Sequence, residues 1–374
     1  MKKTTAPKEN APRNWVVTIT LGLTFLLAVT IVPWYGIKFG FSGWAWFFAG
    51  LFLLLNGVGI GSGYHRLWSH RAYKARTPLR VFLAVFGGMA LQNSILVWCA
   101  RHRVHHRDVD DNDKDPYSIG RGFWFAHIGW MLRDYDSGQI DYSVVPDLER
   151  DPVVAWQHKH YWALVWSSNI GLPVLAGLVT GDVLGMFLLA GVARLVVNHH
   201  VTFFVNSLAH CWGKQPYTDE NSARDSWLVA LLTYGEGWHN YHHMFQNDYR
   251  NGVRWWQFDI NKWFISCCAW LGLAYDRKRA PRFKILRAKV QMEFKRARER
   301  MAQHNGDRKW LEVLEQEYAE FLETARKWQA LQMQRVQQGK EALAAGINTR
   351  FRELEFALLM QRKRLALLTA QLSV

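Results

Sequence analysis

The sequence has few cysteines. Only four occur among its 374 residues, and no two have the C-x-x-C spacing. A disulfide framework and a zinc site built on thiolates are therefore excluded. A Cys₄ iron site and a C-x-x-C-H haem segment are also missing, so any electrons that the protein uses must come from another protein.

Acidic residues are also scarce. The chain has 31 Asp and Glu against 46 Lys and Arg, a net charge of +15. No groove-reading motif accompanies this charge, so we expect no nucleic-acid partner. A membrane surface attracts cations equally well, and the 20 tryptophans are typical of proteins whose rings lie at a membrane interface.

The chain has long apolar runs that carry almost no charge, and Arg194 is the one charged residue within the four runs predicted to span the membrane. At about 1.5 Å per residue, a run of about 20 residues matches a hydrocarbon core of about 30 Å. A turn at 33–36 and the pair Gly181-Asp182 would close two helical hairpins. The predicted membrane spans are residues 15–34, 40–64, 161–181 and 183–205.

One further uncharged run, residues 81–100, carries Gln92, Asn93 and Ser94 at its middle. We therefore expect it to form a helix that lies in the interface or dips into the protein, and not to cross the membrane. Lys and Arg are concentrated before the first run and after the second and fourth. The positive-inside bias predicts that both termini and both long polar regions are cytoplasmic.

The sequence therefore predicts an all-α integral membrane protein with three parts. These are a cytoplasmic N-terminus (1–14), a membrane domain (15–281) and a C-terminal amphipathic extension (282–374). The extension has helix formers with apolar residues three and four apart, which predicts a helix pair split near 339–348. Packing, oligomerisation and docking to a partner or to anionic lipid are all open for it.

Histidine is abundant, and most of it is clustered. Three boxes carry two or three histidines each: HRLWSH (65–70), HRVHH (102–106) and HNYHH (239–243); His210 closes NSLAH (206–210). Residues at i, i+3 and i+4 share a helix face, so HRVHH and HNYHH should each present three imidazoles to one point. His65 and His70 can converge only if the helix ends or distorts between them.

Nine imidazoles exceed the about four to six ligands that one ion takes, but they suit two ions. Imidazole binds Zn, Cu, Fe and Ni alike, so the donor type leaves the metal open. Glu236 could be the base of a zinc hydrolase, or it could orient a ligand. A stripe of His199, Thr202, Asn206 and His210 along the fourth span would lead from mid-membrane to the metal end.

These boxes, in this order and spacing, resemble the membrane fatty-acid desaturases of the Δ9 acyl-CoA (stearoyl-CoA) type. The resemblance extends over roughly residues 15–280 and includes RAYKARTPLR (71–80), DKDPYS (113–118), EGWHNYHH (236–243) and LGLAYDRKR (271–279). It implies four spans beneath a cytoplasmic helical cap that holds two iron ions (Fe²⁺). The iron ligands it implies are His65, His70, His102, His105, His106, His210, His239, His242 and His243, with Asn206 acting through a water.

The resemblance also implies the chemistry: O₂ and two electrons convert neighbouring methylenes into a cis double bond. The acyl chain would bend in a closed tunnel lined by Gln92, Trp98 and Thr202, with Leu53 and Gly57 limiting its length. The electron donor would be a protein of the ferredoxin, rubredoxin or cytochrome b5 type.

One position departs from the resemblance. The Arg-Asp pair usual before the second box is replaced by Ala100 and Arg101, so the substrate can be an acyl thioester of coenzyme A, a carrier-protein thioester or an acyl lipid. A hydroxylase or other oxygenase acting on an alkane or another lipid with the same type of centre is the closest alternative. A non-catalytic metal or haem membrane protein is less favoured, because its ligands should lie within the spans.

Overall fold

Helices make up nearly all the regular structure of the computed structural model, which describes residues 11–303, 308–337 and 345–371. Within this part of the chain, one antiparallel sheet pairs β1 (Lys74–Ala75) with β2 (Ala274–Tyr275). The α-helices in chain order are α1 (Trp15–Val29), α2 (Ile31–Phe39), α3 (Gly43–Val58), α4 (Thr77–Gly88), α5 (Ile95–Arg107), α6 (Phe123–His127), α7 (Pro146–Glu149), α8 (Pro152–Lys159), α9 (Tyr161–Trp166), α10 (Leu172–Thr180), α11 (Val183–Met186), α12 (Arg194–Asn206), α13 (Leu208–Cys211), α14 (Trp227–Leu232), α15 (His239–Met244), α16 (Ile260–Trp270), α17 (Arg282–Gln303), α18 (Arg308–Gln337) and α19 (Ala345–Gln371). The π-helical segments are Gly59–Ser69, Ser167–Gly171 and Phe187–Ala193, and 3₁₀ turns cover Ile119–Arg121, Gly129–Met131, Asp136–Gly138 and Tyr142–Val144.

Four of the described helical stretches are long and apolar enough to cross a membrane, which confirms the predicted class. We name them span 1 (Trp15–Phe39), span 2 (Gly43–Ser69), span 3 (Tyr161–Thr180) and span 4 (Val183–Cys211). The connection between spans 3 and 4 lies where it was predicted. Gly181 is left-handed (φ +79°), and the Asp182 carboxylate accepts from the Gly185 N–H at 2.8 Å.

The predicted turn at 33–36 is wrong. Span 1 continues to Phe39, and the chain reverses at Gly40 (φ +75°) before Ser42 caps α3. Pro33 lies in the first turn of α2, after an irregular Thr30. A proline is tolerated there because first-turn N–H groups have no partner within the helix.

The prediction of one continuous helix over 81–100 is also wrong, although the segment does not form a span. It divides into α4, which is 12 residues long, and α5. Between them Leu91 (φ +52°) and Asn93 (φ +76°) are left-handed, and Ser94 caps α5. The polar Gln-Asn-Ser group thus ends one helix and starts the next. Helix α4 packs on span 2 and on α8.

A buried arginine joins three of the spans. Arg194 of span 4, only 2% exposed, donates to Asn56 of span 2 at 2.8 Å and to Asn169 of span 3 at 2.9 Å. It also donates to its own helix at Ala190. A charged group inside a membrane protein is costly unless its hydrogen bonds are satisfied, so this network fixes how the three spans pack.

The chain divides into two compact units after Arg279, with Pro216–Asp219 belonging to the second. The second unit contains three helices, α17 to α19, where a pair was predicted. The sequence between α17 and α18 contains the turn-favouring dipeptide Asn305-Gly306. That connection lies outside the described residues, as does most of the predicted split at 339–348. The core of this unit includes Val290, Leu314, Phe321, Trp328 and Leu358.

The Arg194 network gives a stability prediction. Asn169→Ala removes the amide that Arg194 donates to, so a buried N–H loses its acceptor and the protein should lose about 1–3 kcal/mol of stability. Thermal unfolding in detergent would measure this loss. Ser167→Ala, an exposed hydroxyl on the same segment, is the control. Equal melting temperatures for both variants would contradict the importance given to this network.

Candidate metal centre

All nine box and NSLAH histidines converge on one region. Within each of two groups, the nearest ring nitrogens all lie within 4.8 Å of one another. Seven of the nine are buried because the surrounding helices cover them, and His106 and His243 are half-buried. The five-histidine group comprises His65, His70, His102, His106 and His242, and the four-histidine group comprises His105, His210, His239 and His243.

The sequence predicted that HRVHH and HNYHH each point three imidazoles at one site. This prediction is wrong, because the histidines of each of these two boxes divide between the two groups. His102 and His106 face one group while His105 faces the other, and His239 and His243 are separated from His242 in the same way. On a helix the i and i+4 positions are about 40° apart, whereas i+3 and i+4 differ by about 100°. One helix can therefore serve two neighbouring sites, which ties the groups together.

The expected distortion in HRLWSH is present. Residues Gly59–Ser69 form a π-helical segment, and the His70 N–H donates to the His65 carbonyl at 3.1 Å. Hydrogen bonds of the i to i+5 type are the signature of a π-helix. This winding brings the His65 and His70 rings to 4.8 Å between centroids, so the prediction of convergence by distortion is confirmed.

The ring nitrogens are arranged as metal ligands would be. The Nε2 atoms of His65 and His242 lie 2.9 Å apart, as do those of His70 and His102. In the second group, the Nε2 atoms of His239 and His210 lie 3.0 Å apart. Nitrogens bound to one ion at about 2.1 Å and at right angles would lie about 3 Å apart. The donor set therefore fits two transition-metal ions.

The electrostatic environment keeps six of the nine rings neutral, which is the form that binds metal. Burial lowers the pKa of His239 to about 3. The pKa values of five other rings are also well below the ordinary value, first because of burial and then because neighbouring imidazoles would add like charge. These rings are His70, His102, His106, His242 and His243.

Several of the outward-facing ring nitrogens have partners of their own. The Asp115 carboxylate lies 2.9 Å from His105 Nδ1. Ser222 Oγ lies 2.7 Å from His210 Nδ1 and donates to Asp110 at 2.6 Å. Such partners fix the tautomer and the orientation of a ligating imidazole. The sequence reasoning missed all three residues; only Asp115, within DKDPYS close after HRVHH, carried a signal that could have indicated it.

Glu236 has the orienting role and not the role of a free base. Its Oε2 atom lies 2.9 Å from His65 Nδ1, and its Oε1 atom accepts from Arg66 at 2.7 Å. Asn251 and Asn261 donate to it as well. Burial opposes ionisation, but Arg66 and then His65 outweigh it, so the pKa of this carboxyl is well below its usual range. A carboxylate with both oxygens engaged in this way is poorly placed to activate a water.

Two cavities lead to the centre. The inner one, of about 50 Å³, is lined by His65, His102 and Glu236, and the outer one, of about 480 Å³, extends towards α1. Both are lined by Trp98, Thr202 and Asn206, so they meet at these three side chains. Gln92 lines the outer cavity and donates to Thr202 at 2.9 Å. Of the predicted tunnel residues, Trp98 and Thr202 lie where the two cavities join, and Gln92 lies next to them in the outer cavity.

The remaining predicted residues are placed as follows. Gly57 lines the inner cavity, whereas Leu53, one turn earlier, is not among the residues lining either of these two cavities. Asn206 is one turn before His210 of the four-histidine group. His199 lines the outer cavity with Thr202 and Asn206, so three of the four residues in the predicted stripe face it. Tyr234, which the sequence reasoning missed, lines the inner cavity beside Gly57.

Comparison with known proteins agrees with this geometry. Residues 42–277 match the fatty acid desaturase family. The chain is 49% identical over 249 residues to a probable acyl-CoA desaturase of Schizosaccharomyces pombe, covering 66% of this chain and 52% of that protein. It is 37% identical over 299 residues to acyl-CoA desaturase 1 of Saccharomyces cerevisiae, covering 78% of this chain and 57% of that protein. It is 43% identical over 242 residues to stearoyl-CoA desaturase 5 of Bos taurus, covering 63% of this chain and 71% of that protein. The chain spans little more than half the length of the two fungal relatives.

The contact between Asp115 and His105 predicts an effect on metal binding. Asp115→Asn keeps the shape but loses the charge beside His105 Nδ1, so metal affinity should fall about 10- to 100-fold. Competition with a chelator, followed by metal analysis of the purified protein, would measure it. Asp113→Asn is the matched control, since Asp113 is exposed two residues earlier. Equal affinities for the two variants would remove Asp115 from the centre.

Proposed function

Because the chain belongs to the fatty acid desaturase family, we propose that it inserts a cis double bond into a saturated fatty acyl chain, at Δ9. The observation that carries the proposal is the pair of histidine groups, one of which contributes His65 and His102 to the inner of two connected cavities. The overall reaction joins the acyl chain, O₂, two electrons and two protons, and yields the alkene and two molecules of water.

The nine histidines would hold two iron ions, one in each group. Asn206 would serve the four-histidine group through a water, since it lies one helical turn from His210. An unactivated C–H bond has no acidic proton, and a bound iron pair with O₂ and electrons supplies the oxidising power to break it. Carboxylate pairs or a serine nucleophile could not.

The protein's own residues would position the substrate. The hydrogen bond from Gln92 to Thr202 crosses the junction, and the Trp98 ring stacks on His102 at 4.8 Å between centroids. A flexible acyl chain passing between them would be held in one bent conformation. Its reacting methylenes would then lie beside the centre and away from water. Orientation of this kind accounts for a large share of catalysis.

The outer end of the larger cavity suits a charged carrier. It is lined by Arg101 and Arg133 together with the hydrogen-bonded pair Asn14 and Asp134. Burial lowers the pKa of Arg101, whose guanidinium lies 5.5 Å from the Trp130 ring centroid. Two arginines can bind phosphate, so we favour an acyl thioester of coenzyme A or of a carrier protein over a membrane acyl lipid. The names of the relatives favour coenzyme A.

Electrons would come from a separate protein. Neither a Cys₄ site nor a haem attachment segment is encoded, and the net charge of +15 would steer an acidic carrier by long-range attraction. A ferredoxin, a rubredoxin or a cytochrome b5 would meet this requirement. The centre and both termini would face the cytoplasm, as the excess of Lys and Arg flanking the spans favours.

The test is expression of the full chain in cells of known fatty-acid composition, with mass spectrometry of the double-bond position. We expect new cis-9 monoenes from the wild type and none from His106→Ala, because the five-histidine group loses a ligand. His160→Ala, outside both groups, should retain the products.

Unchanged lipids, despite full iron loading and a competent donor, would contradict the proposal. An alcohol in place of the alkene would instead identify a hydroxylase.

A further inference from the structure

The inner cavity is lined by one aromatic ring that belongs to a loop and not to a span. Tyr234 follows α14 and lines this cavity together with Thr233 and Gly57. A Cβ atom added at Gly57 would lie 2.7 Å from two atoms of the Tyr234 ring. The ring therefore lies directly on the backbone of span 2, and it occupies the space that any side chain at position 57 would need.

The backbone holds the ring in this place. Tyr234 is left-handed (φ +56°), which is uncommon for a large side chain, and Gly235 follows at φ +102°. The Gly235 N–H donates to the Ala230 carbonyl at 2.8 Å, and Thr233 Oγ1 donates to the Val229 carbonyl at 2.6 Å. Strained residues of this kind cluster at ligand-binding sites.

The Tyr234 hydroxyl does not hold the ring. Its oxygen is buried and has no hydrogen-bond partner among the described residues. The position of the ring thus follows from the loop backbone and from its packing on Gly57. Packing alone would serve equally well with phenylalanine.

The ring lies on the path that a substrate would follow. An acyl chain entering from the outer cavity would pass Trp98, Thr202 and Asn206 and enter the inner cavity, whose lining also includes His65, His102 and Tyr234. The space left there is small, since the whole inner cavity measures about 50 Å³. A chain with more carbons beyond the reacting methylenes would need the volume of the ring.

We propose that Tyr234 determines the length of the acyl segment beyond the reacting methylenes, because its ring fills the end of the inner cavity beside Gly57. The inference rests on the proposed function and deepens it. It assigns the limiting role to a loop residue, where the sequence predicted Leu53 and Gly57 of span 2. Gly57 contributes by leaving room for the ring.

The experiment uses the full-length protein loaded with iron, a competent electron donor, and myristoyl, palmitoyl, stearoyl and arachidoyl thioesters in competition. Tyr234→Ala should raise the ratio of long-chain to short-chain products about tenfold. This is the lower end of the discrimination that one methylene gives between substrates in an apolar pocket. Tyr234→Phe keeps the ring and should keep the wild-type preference. Tyr142→Ala, an exposed tyrosine, is the control for general effects.

A second readout does not need turnover. The same thioesters should stabilise each variant against thermal unfolding, and only in Tyr234→Ala should this stabilisation shift towards longer chains. If Tyr234→Ala fails to fold, Tyr234→Leu takes its place. An active wild type with the same product ratio and the same length dependence in Tyr234→Ala would overturn the inference. A wild type that turns over no chain would contradict the proposed function, while the stabilisation series would still decide the role of Tyr234.

Discussion

The structure depends on burying nine imidazoles, most of them kept neutral, with their inner nitrogens pointing at two common points. A buried polar atom without a partner is costly, and rings whose Nε2 atoms lie about 3 Å apart cannot all satisfy one another. Two metal ions would satisfy all of them at once. The outer nitrogens of His105, His65 and His210 are held by Asp115, Glu236 and Ser222 respectively, so these rings have little freedom to turn away.

This requirement explains several irregular features of the backbone. The π-helical winding of Gly59–Ser69 brings His65 and His70 together. Asp110 is left-handed at φ +65° and accepts a hydrogen bond from Ser222, which in turn contacts the ring of His210. The divided boxes make α5 and α15 each contribute to both groups, which fixes the distance between the two sites. The cavities reach the centre from one side, where span 4 supplies Thr202 and Asn206.

The sequence predicted the features that depend on composition and periodicity. Apolar runs of the right length predicted the four spans, and the spacing of the boxes predicted convergence. Features that depend on a few backbone angles escaped it. Pro33 suggested a turn, but at the start of a helix a proline is harmless. Gln92, Asn93 and Ser94 were recognised as unsuited to a span, yet their role in ending α4 and capping α5 was not foreseen. Tyr234 and Ser222 gave no signal, because their importance arises from contacts with residues far away in the chain.

The most direct measurement is a count of metal atoms in the purified wild-type chain, combined with X-ray absorption at the metal edge. The account predicts two iron atoms per chain, each surrounded mainly by nitrogen. A single iron per chain, or a sulfur-rich coordination shell, would contradict it.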